Sequence, residues 1–312
     1  MKIGFLFPGQ GSQSVGMGKD LYDTYKEVKN VYDEIKNLTG IDVAKITFES
    51  DEETLTQTKN TQIAILTMSL GILKVLELSD IKAEAVSGLS LGEYTALIYS
   101  KVMNFEDGVK LVHKRGEYMQ ELLPEGEWSM AAFLGADEDV VAKICENVRN
   151  GFIVPVNFNC PGQIAVSGEK KAILEAMEIA KDYEVKKVME LKTSGPFHTI
   201  KLQDAANALK KEMDLIKFGK PICNVVRNLD GELYKENDDI QDVLYKHMIN
   251  PVRFDKCIQK MLDMGIDTFI EIGPGKTLAS FVKRTSKDVN ILNINNVAIL
   301  EHAIETIHGD IN

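Results

Sequence analysis

Cysteine is scarce in this chain and nowhere grouped. The four residues, Cys145, Cys160, Cys223 and Cys257, contain no CxxC pair. A disulfide framework and a cysteine metal site are therefore excluded as organising features, leaving reduced thiols of a cytoplasmic protein. Excess positive charge is missing too. A formal net charge of −11 leaves no overall basic face for nucleic acid or an anionic membrane. The greasiest stretch, 63–78, is interrupted by Thr67, Ser69, Lys74 and Glu77, which reads as too polar for a membrane span. The apolar run after Met1 is too short for a signal peptide. Repeats and low-complexity segments are absent. What remains is 312 residues, 44% hydrophobic and 27% charged, enough for a substantial core in one large domain or two unequal ones.

Within that composition one stretch stands out. The apolar run 83–87 stops at Gly88-Leu89-Ser90-Leu91-Gly92, and a helix-like segment follows at once. This fits a nucleophile elbow, a tight strand-to-helix turn that exposes a serine hydroxyl. Alone the pattern is weak, since about one chain in ten of this length carries it by chance. The flanking strand and helix raise its weight and make Ser90 a candidate nucleophile, against the blander reading of a serine bonded within a buried turn.

A serine needs a base, and histidine is the usual one. Of the five, His113 and His302 fall on polar helix faces and His308 in the terminal segment, so all three are expected to face solvent. His198 follows Gly195-Pro196-Phe197 where a strand gives way to a helix, and His247 precedes Asn250-Pro251. Position favours His198 over His247, and no Asp or Glu presents itself as a third member. Arg115 is an anomaly: it lies at helical spacing from Leu111 and Val112, on the apolar face of a helix over 107–123. A buried guanidinium needs an anion, and a structural ion pair is the simpler source.

Two glycine-rich loops fail as nucleotide motifs. Gly9-Gln10-Gly11 lacks the third glycine of a dinucleotide fingerprint, and Gly273-Pro274-Gly275-Lys276-Thr277 lacks the first glycine of a P-loop. The first loop instead suits an oxyanion hole, because its backbone N–H groups are free to face charge.

The hydrophobic periods predict a strand over 3–7, helices over 20–38 and from 61, then the elbow. After Pro124-Glu125-Gly126 a β-α-β-β-α-β order follows: strands over 129–134, 152–159, 163–167 and 185–191, with helices over 137–148 and 169–183. That order is ferredoxin-like. Asn250-Pro251 reads as an N-cap and first helical position, opening a helix to 264. A strand over 268–272, another over 289–294 and a helix over 298–308 complete a βα-alternating outer part with a mainly parallel sheet.

Taken together, the chain resembles the malonyl-CoA:acyl carrier protein transacylases of bacterial fatty acid synthesis. The resemblance runs nearly end to end. It rests on Phe7-Pro8-Gly9-Gln10-Gly11-Ser12-Gln13, the elbow through Glu93-Tyr94, Arg115-Gly116, Pro155-Val156-Asn157-Phe158-Asn159 with Pro161-Gly162-Gln163, Phe197-His198, Asn250-Pro251-Val252 and Glu271-Ile272-Gly273-Pro274-Gly275-Lys276.

The resemblance implies an α/β fold: an α/β-hydrolase-like large domain (1–126 and 194–312) with an inserted ferredoxin-like subdomain (127–193). It implies Ser90 as the nucleophile that carries malonyl as an ester, His198 as its base, and the N–H groups of Gln10 and Leu91 as oxyanion donors. Arg115 would hold the malonyl carboxylate, which reverses the structural reading. Gln62 matches a position near the site, and Phe197 resembles the pattern of malonyl-selective relatives. Two residues depart from the family's pattern. Leu89 replaces the usual His before the nucleophile. His247 replaces the usual Gln, whose backbone carbonyl would orient His198 and is kept whatever the side chain. Malonyl-CoA and phosphopantetheinylated acyl carrier protein are the implied substrates, with no cofactor, no metal and a monomeric enzyme. A polyketide acyltransferase, a serine esterase or thioesterase, and a non-catalytic carrier-binding module are the alternatives. For an acidic carrier, Lys186, Lys187, Lys192 and Lys201, or Lys283, Arg284 and Lys287, could supply a local basic patch.

Overall fold

A computed structural model gives the structure, which describes residues 1–311 apart from Lys192 and Ser194. The strands are Ile3–Phe7 (β1), Ala85–Gly88 (β2), Trp128–Leu134 (β3), Ile153–Cys160 (β4), Gln163–Glu169 (β5), Lys187–Leu191 (β6), Asn224–Val225 (β7), Val252–Arg253 (β8), Thr268–Ile272 (β9) and Asn290–Ile294 (β10). They form two sheets, of order β10-β9-β1-β2-β7 and β6-β3-β5-β4-β8.

The first sheet is parallel throughout. Helices cover both its faces, which is why β1 is apolar and buried at every position. Its period of two sends Phe5 and Phe7 into the larger core and Leu6 into a second core with Phe254, Leu278 and Phe281. The larger core is organised on the helix Thr58–Leu78. By length and composition that helix could cross a bilayer, contrary to the weight given to its polar interruptions, but 83% of its most apolar window is buried inside the protein.

The second sheet contains the β-α-β-β-α-β segment, in the antiparallel order β6-β3-β5-β4. From distant sequence β8 adds to it in parallel, Asn157 opposite Val252. Period two again divides the residues. Ala131, Phe133, Phe158, Ile164 and Val166 pack under the segment's own helices. Met130, Ala132, Asn157, Asn159 and Ala165, on the opposite face, line a cavity against the parallel sheet. The alternation that builds the small core therefore also builds one wall of the site.

Two local expectations are corrected. The helix over 20–38 is two helices, Lys19–Thr24 and Lys26–Thr39, because Tyr25 between them is extended (φ −108°, ψ 117°). Its side chain packs on the larger core, with its hydroxyl 3.4 Å from Glu301. Asn250-Pro251 does not open a helix either. Asn250 ends the helix Ile240–Ile249, its amide donating to the Lys246 carbonyl at 2.9 Å. Strand pairing then takes Val252 and Arg253, and the next helix is Phe254–Asp263.

Candidate active site

β2 lies inside the parallel sheet and ends at Gly88, and the helix Leu91–Tyr99 starts beyond Ser90. Ser90 has φ 52° and ψ −101°, a conformation that costs a non-glycine residue about 1–3 kcal/mol. The flanking glycines are there because nothing larger fits. A Cβ on Gly88 would stand 2.1 Å from the carbonyl carbon of Gly92, and one on Gly92 would stand 2.0 Å from the Phe7 oxygen. Gly9 approaches as closely, 2.4 Å from the Leu89 oxygen by the same measure, which brings the Gln10 loop beside the elbow. Leu91, at the first helical position, has an N–H that its own helix leaves without a partner.

The turn is tied down by a residue the sequence reading passed over. Ser90 N–H donates to Asn228 Oδ1 at 2.7 Å, and Asn228 Nδ2 donates to the Gly88 carbonyl at 2.7 Å. The N–H of Asn228 donates in turn to Glu93 Oε2 at 2.9 Å. Asn228 and Glu93 are both wholly buried. Glu93 could have been found as Arg115 was, as a charge among apolar neighbours on a helix. Asn228 follows the two-residue β7, where no periodic signal exists.

His198 comes to the serine from a third direction. Its Nε2 is 2.7 Å from Ser90 Oγ, and its Nδ1 is 2.9 Å from the His247 carbonyl oxygen. A carbonyl can only accept, so Nδ1 carries the proton and Nε2 is left to receive one from the serine. Burial, then the positive charge of Arg115, pushes the His198 pKa down to about 4, so the ring is neutral at physiological pH. The His247 ring stacks on it with centroids 5.2 Å apart. No carboxylate contacts His198 among the described residues.

Arg115, 1% exposed, projects from the helix Phe105–Glu121. Nη1 donates to Gln62 Oε1 at 2.7 Å and Nη2 to Ser90 Oγ at 3.1 Å. The guanidinium lies 5.1 Å over the Tyr94 ring, and Nε has no hydrogen-bond partner among the described residues. Burial lowers its pKa, and Glu93 acts on it only through space. Among the described residues no carboxylate pairs with it, so the structural ion pair favoured by the residues alone is not found. Gln62, itself buried, fixes the guanidinium from the side opposite Ser90.

These groups open on a cavity of about 630 Å³ whose lining includes Gln10, Gln62, Leu89, Arg115, Phe197 and Gln163. Leu89 packs against the second core, beside Leu278 and Phe281, so its apolar side chain has a packing partner. The Gly275 turn offers no phosphate site: Glu271, buried beneath it, accepts the N–H groups of Leu278 and Ala279 at the start of the helix Thr277–Thr285. His302 and His308 are exposed, but His113 is not solvent-facing as expected: its side chain is 16% exposed and its Nε2 lies 3.3 Å from Glu117. Lys186, Lys187, Lys201, Lys283, Arg284 and Lys287 are exposed, while Lys192 lies outside the described residues. Among the described residues no group of three or more His, Cys, Asp or Glu is placed to hold a metal.

Comparison with known proteins gives concordant findings. Residues 4–306 match the family described as the acyl transferase domain. The malonyl CoA-acyl carrier protein transacylase of Bacillus subtilis is 39% identical over 308 residues, 98% of this chain and 97% of that protein. The Escherichia coli protein of the same name is 37% identical over 97% of this chain and 99% of its own length. A solved malonyl CoA-acyl carrier protein transacylase from Clostridium perfringens superposes with a TM-score of 0.94 at 42% identity, covering 99% of this chain and 98% of that one. A malonyl-transacylase solved in complex with a type II PKS acyl-carrier protein superposes at 0.94 with 33% identity, over 98% of this chain and 100% of that one.

Proposed function

The chain belongs to the acyl transferase family, and from that premise we propose how its residues divide the work of moving a malonyl group from malonyl-CoA to the phosphopantetheine thiol of acyl carrier protein. The reaction is ping-pong. His198 Nε2 takes the hydroxyl proton of Ser90 as Oγ bonds to the thioester carbon. The carbonyl oxygen becomes an anion held by the N–H groups of Gln10 and Leu91. CoA leaves with the proton from His198. The carrier thiol then gives His198 its proton, attacks the malonyl-serine, and Ser90 departs reprotonated.

The observation that carries the malonyl reading is the Arg115 guanidinium, buried, without a carboxylate partner among the described residues, and 3.1 Å from Ser90 Oγ. A malonyl group esterified on that oxygen brings its free carboxylate to the one buried cation beside it. The pair also couples binding to chemistry. Arg115 is one cause of the low basicity of His198, so a substrate carboxylate that neutralises it raises the base toward its working range. Phe197, buried beside the base and facing the cavity, restricts the space for a branch on the acyl group. We divide the chain into a large domain of 1–126 with 194–312 and a small one of 127–193, with the cavity between. The proposed enzyme is cytoplasmic and monomeric and uses no cofactor beyond its two substrates.

The likeness to a malonyl-transacylase in complex with a type II PKS carrier keeps service to a polyketide assembly line as a second reading. An esterase has no use for the unpaired Arg115. Intact-mass measurement tests the proposal: malonyl-CoA should leave a malonyl adduct that maps to Ser90 and disappears when carrier protein is added. Rapid release of free malonate, or no adduct, would overturn it.

A further inference from the structure

Among the described residues the dyad has no acid in contact with its histidine, yet a carboxylate lies behind both of its members. Glu93 is wholly buried in the first turn of the helix that Ser90 opens. Its Oε2 accepts the N–H of Asn228, whose side-chain amide spans Ser90 N–H and the Gly88 carbonyl. The same Oε2 is 3.5 Å from His247 Nδ1. His247 is the residue whose carbonyl accepts the hydrogen bond of His198 Nδ1–H and whose ring stacks on it. Among the described residues, neither ring nitrogen of the buried His247 has a hydrogen-bond partner. The other oxygen of Glu93 accepts the Tyr234 hydroxyl. One carboxylate thus reaches the serine by hydrogen bonds through Asn228, and on the histidine side stands 3.5 Å from the ring of His247, which burial keeps neutral.

We propose that Glu93 is the positioning residue of the dyad, fixing the strained serine turn through Asn228 and placing a negative charge behind His198 through His247. The inference rests on the Ser90–His198 reading above. A triad acid stabilises the imidazolium formed during attack by direct contact. Here that contact belongs to a neutral carbonyl, and the charge stands one residue further back. The arrangement makes acylation depend on ionisation of Glu93. Burial raises its pKa to about 7, opposed by Tyr234, the Asn228 N–H, Arg227 and Arg115. The groups that face it are Tyr234 and Arg227 from the segment after β7, His247 from Ile240–Ile249, Arg115 from Phe105–Glu121, Cys257 from Phe254–Asp263, and the adjacent Tyr94.

The experiment follows malonyl adduct formation on the full chain by rapid-quench intact mass across pH, in wild type, Glu93→Gln and Tyr234→Phe, with KM for malonyl-CoA and thermal unfolding recorded for each. Wild type should gain rate as pH rises through the ionisation of Glu93. Glu93→Gln should lose about tenfold or more of the acylation rate with little change in KM, and its pH limb should vanish. Tyr234→Phe removes a donor to the charged carboxylate, so its limb should move to higher pH. If Glu93→Gln does not fold, the Tyr234→Phe limb decides alone. The proposal is overturned by a limb that survives in Glu93→Gln, by an unmoved limb in Tyr234→Phe, or by variants that lose thermal stability while acylating at the wild-type rate. Failure of the Ser90–His198 reading looks different, because wild type itself would then form no adduct on Ser90.

Discussion

Arg115 Nη2 stands 3.1 Å from Ser90 Oγ, so a buried cation and the proposed nucleophile share one corner with, among the described residues, no acid between them. Under the proposed function, the arrangement would select an acyl group that carries its own negative charge. Truncating one partner of a buried charge pair costs about 3–5 kcal/mol. Arg115→Ala should therefore lower kcat/KM for malonyl-CoA by about a hundredfold or more and for acetyl-CoA far less. Steady-state kinetics on the two thioesters checks this. Equal losses would remove the carboxylate role.

The same cation also acts on the proposed base. His198 is held to about 4 by burial first and by Arg115 second. Removing the charge but not the volume, in Arg115→Met, takes away only the second cause, so the His198 pKa should rise. With a neutral serine reagent, which brings no carboxylate, and in a Glu93→Gln background that removes the Glu93 limb, the rate of Ser90 modification falls as His198 protonates. Its acid limb should lie at higher pH in Arg115→Met than with Arg115 in place. A limb that stays in place would show that Arg115 does not act on the base.

Phe197 adjoins the base in sequence and lines the cavity while 6% exposed. Its ring fills the space left by Gly195, where a Cβ would come within 2.3 Å of it. Space of one to a few carbon atoms is worth about 10–200-fold in discrimination. Phe197→Ser should raise methylmalonyl-CoA use relative to malonyl-CoA by about tenfold, measured as the ratio of kcat/KM values. An unchanged ratio would place the limit on branched substrates elsewhere.

The turn itself has a stability cost that can be read. A methyl group on Gly92 would meet the Phe7 oxygen at 2.0 Å, backbone against backbone, with no flexible side chain to yield. Gly92→Ala should cost about 1–3 kcal/mol or more and displace Ser90 from His198. Denaturant unfolding would register the first effect and serine labelling the second.

What the sequence made visible depended on how local each cause was. β1 and the elbow are written in adjacent residues, an apolar run and paired glycines; β1 is found at its expected limits, while the elbow's strand is the shorter Ala85–Gly88 and its helix begins already at Leu91. Arg115 was visible because one charge interrupted a helical period. Asn228 was not, since its bonds to Ser90 and Gly88 join residues 138 and 140 positions apart and β7 before it is too short to show a period. Asn250-Pro251 misled for the opposite reason. Its capping chemistry is a genuine local signal, outvoted by the pairing of Val252 with Asn157 across the chain. The His198–His247 contact came from the resemblance and uses a backbone carbonyl, to which every residue type contributes alike.

The carrier protein must bring its thiol through the mouth of the cavity, and two exposed cations are candidates to meet it, Arg284 through its bond to a lining residue and Lys201 on the segment after His198. Arg284 Nη1 donates to Gln163 Oε1 at 3.0 Å, and Gln163 lines the cavity. Lys201 follows His198 by three positions, its ammonium 5.1 Å over the Phe152 ring. Neither is needed for malonyl-CoA to acylate Ser90. Rim charges act chiefly on encounter and on its salt dependence. Arg284→Glu with Lys201→Glu should therefore raise KM for the carrier by about tenfold, flatten the dependence of transfer on ionic strength, and leave the amplitude of the malonyl adduct intact. The separation is possible because the two half-reactions of a ping-pong enzyme are read independently. A loss confined to adduct formation would place these residues on the CoA side instead, and no loss in either half-reaction would move carrier docking to Lys186 and Lys187 on the outer strand of the small sheet.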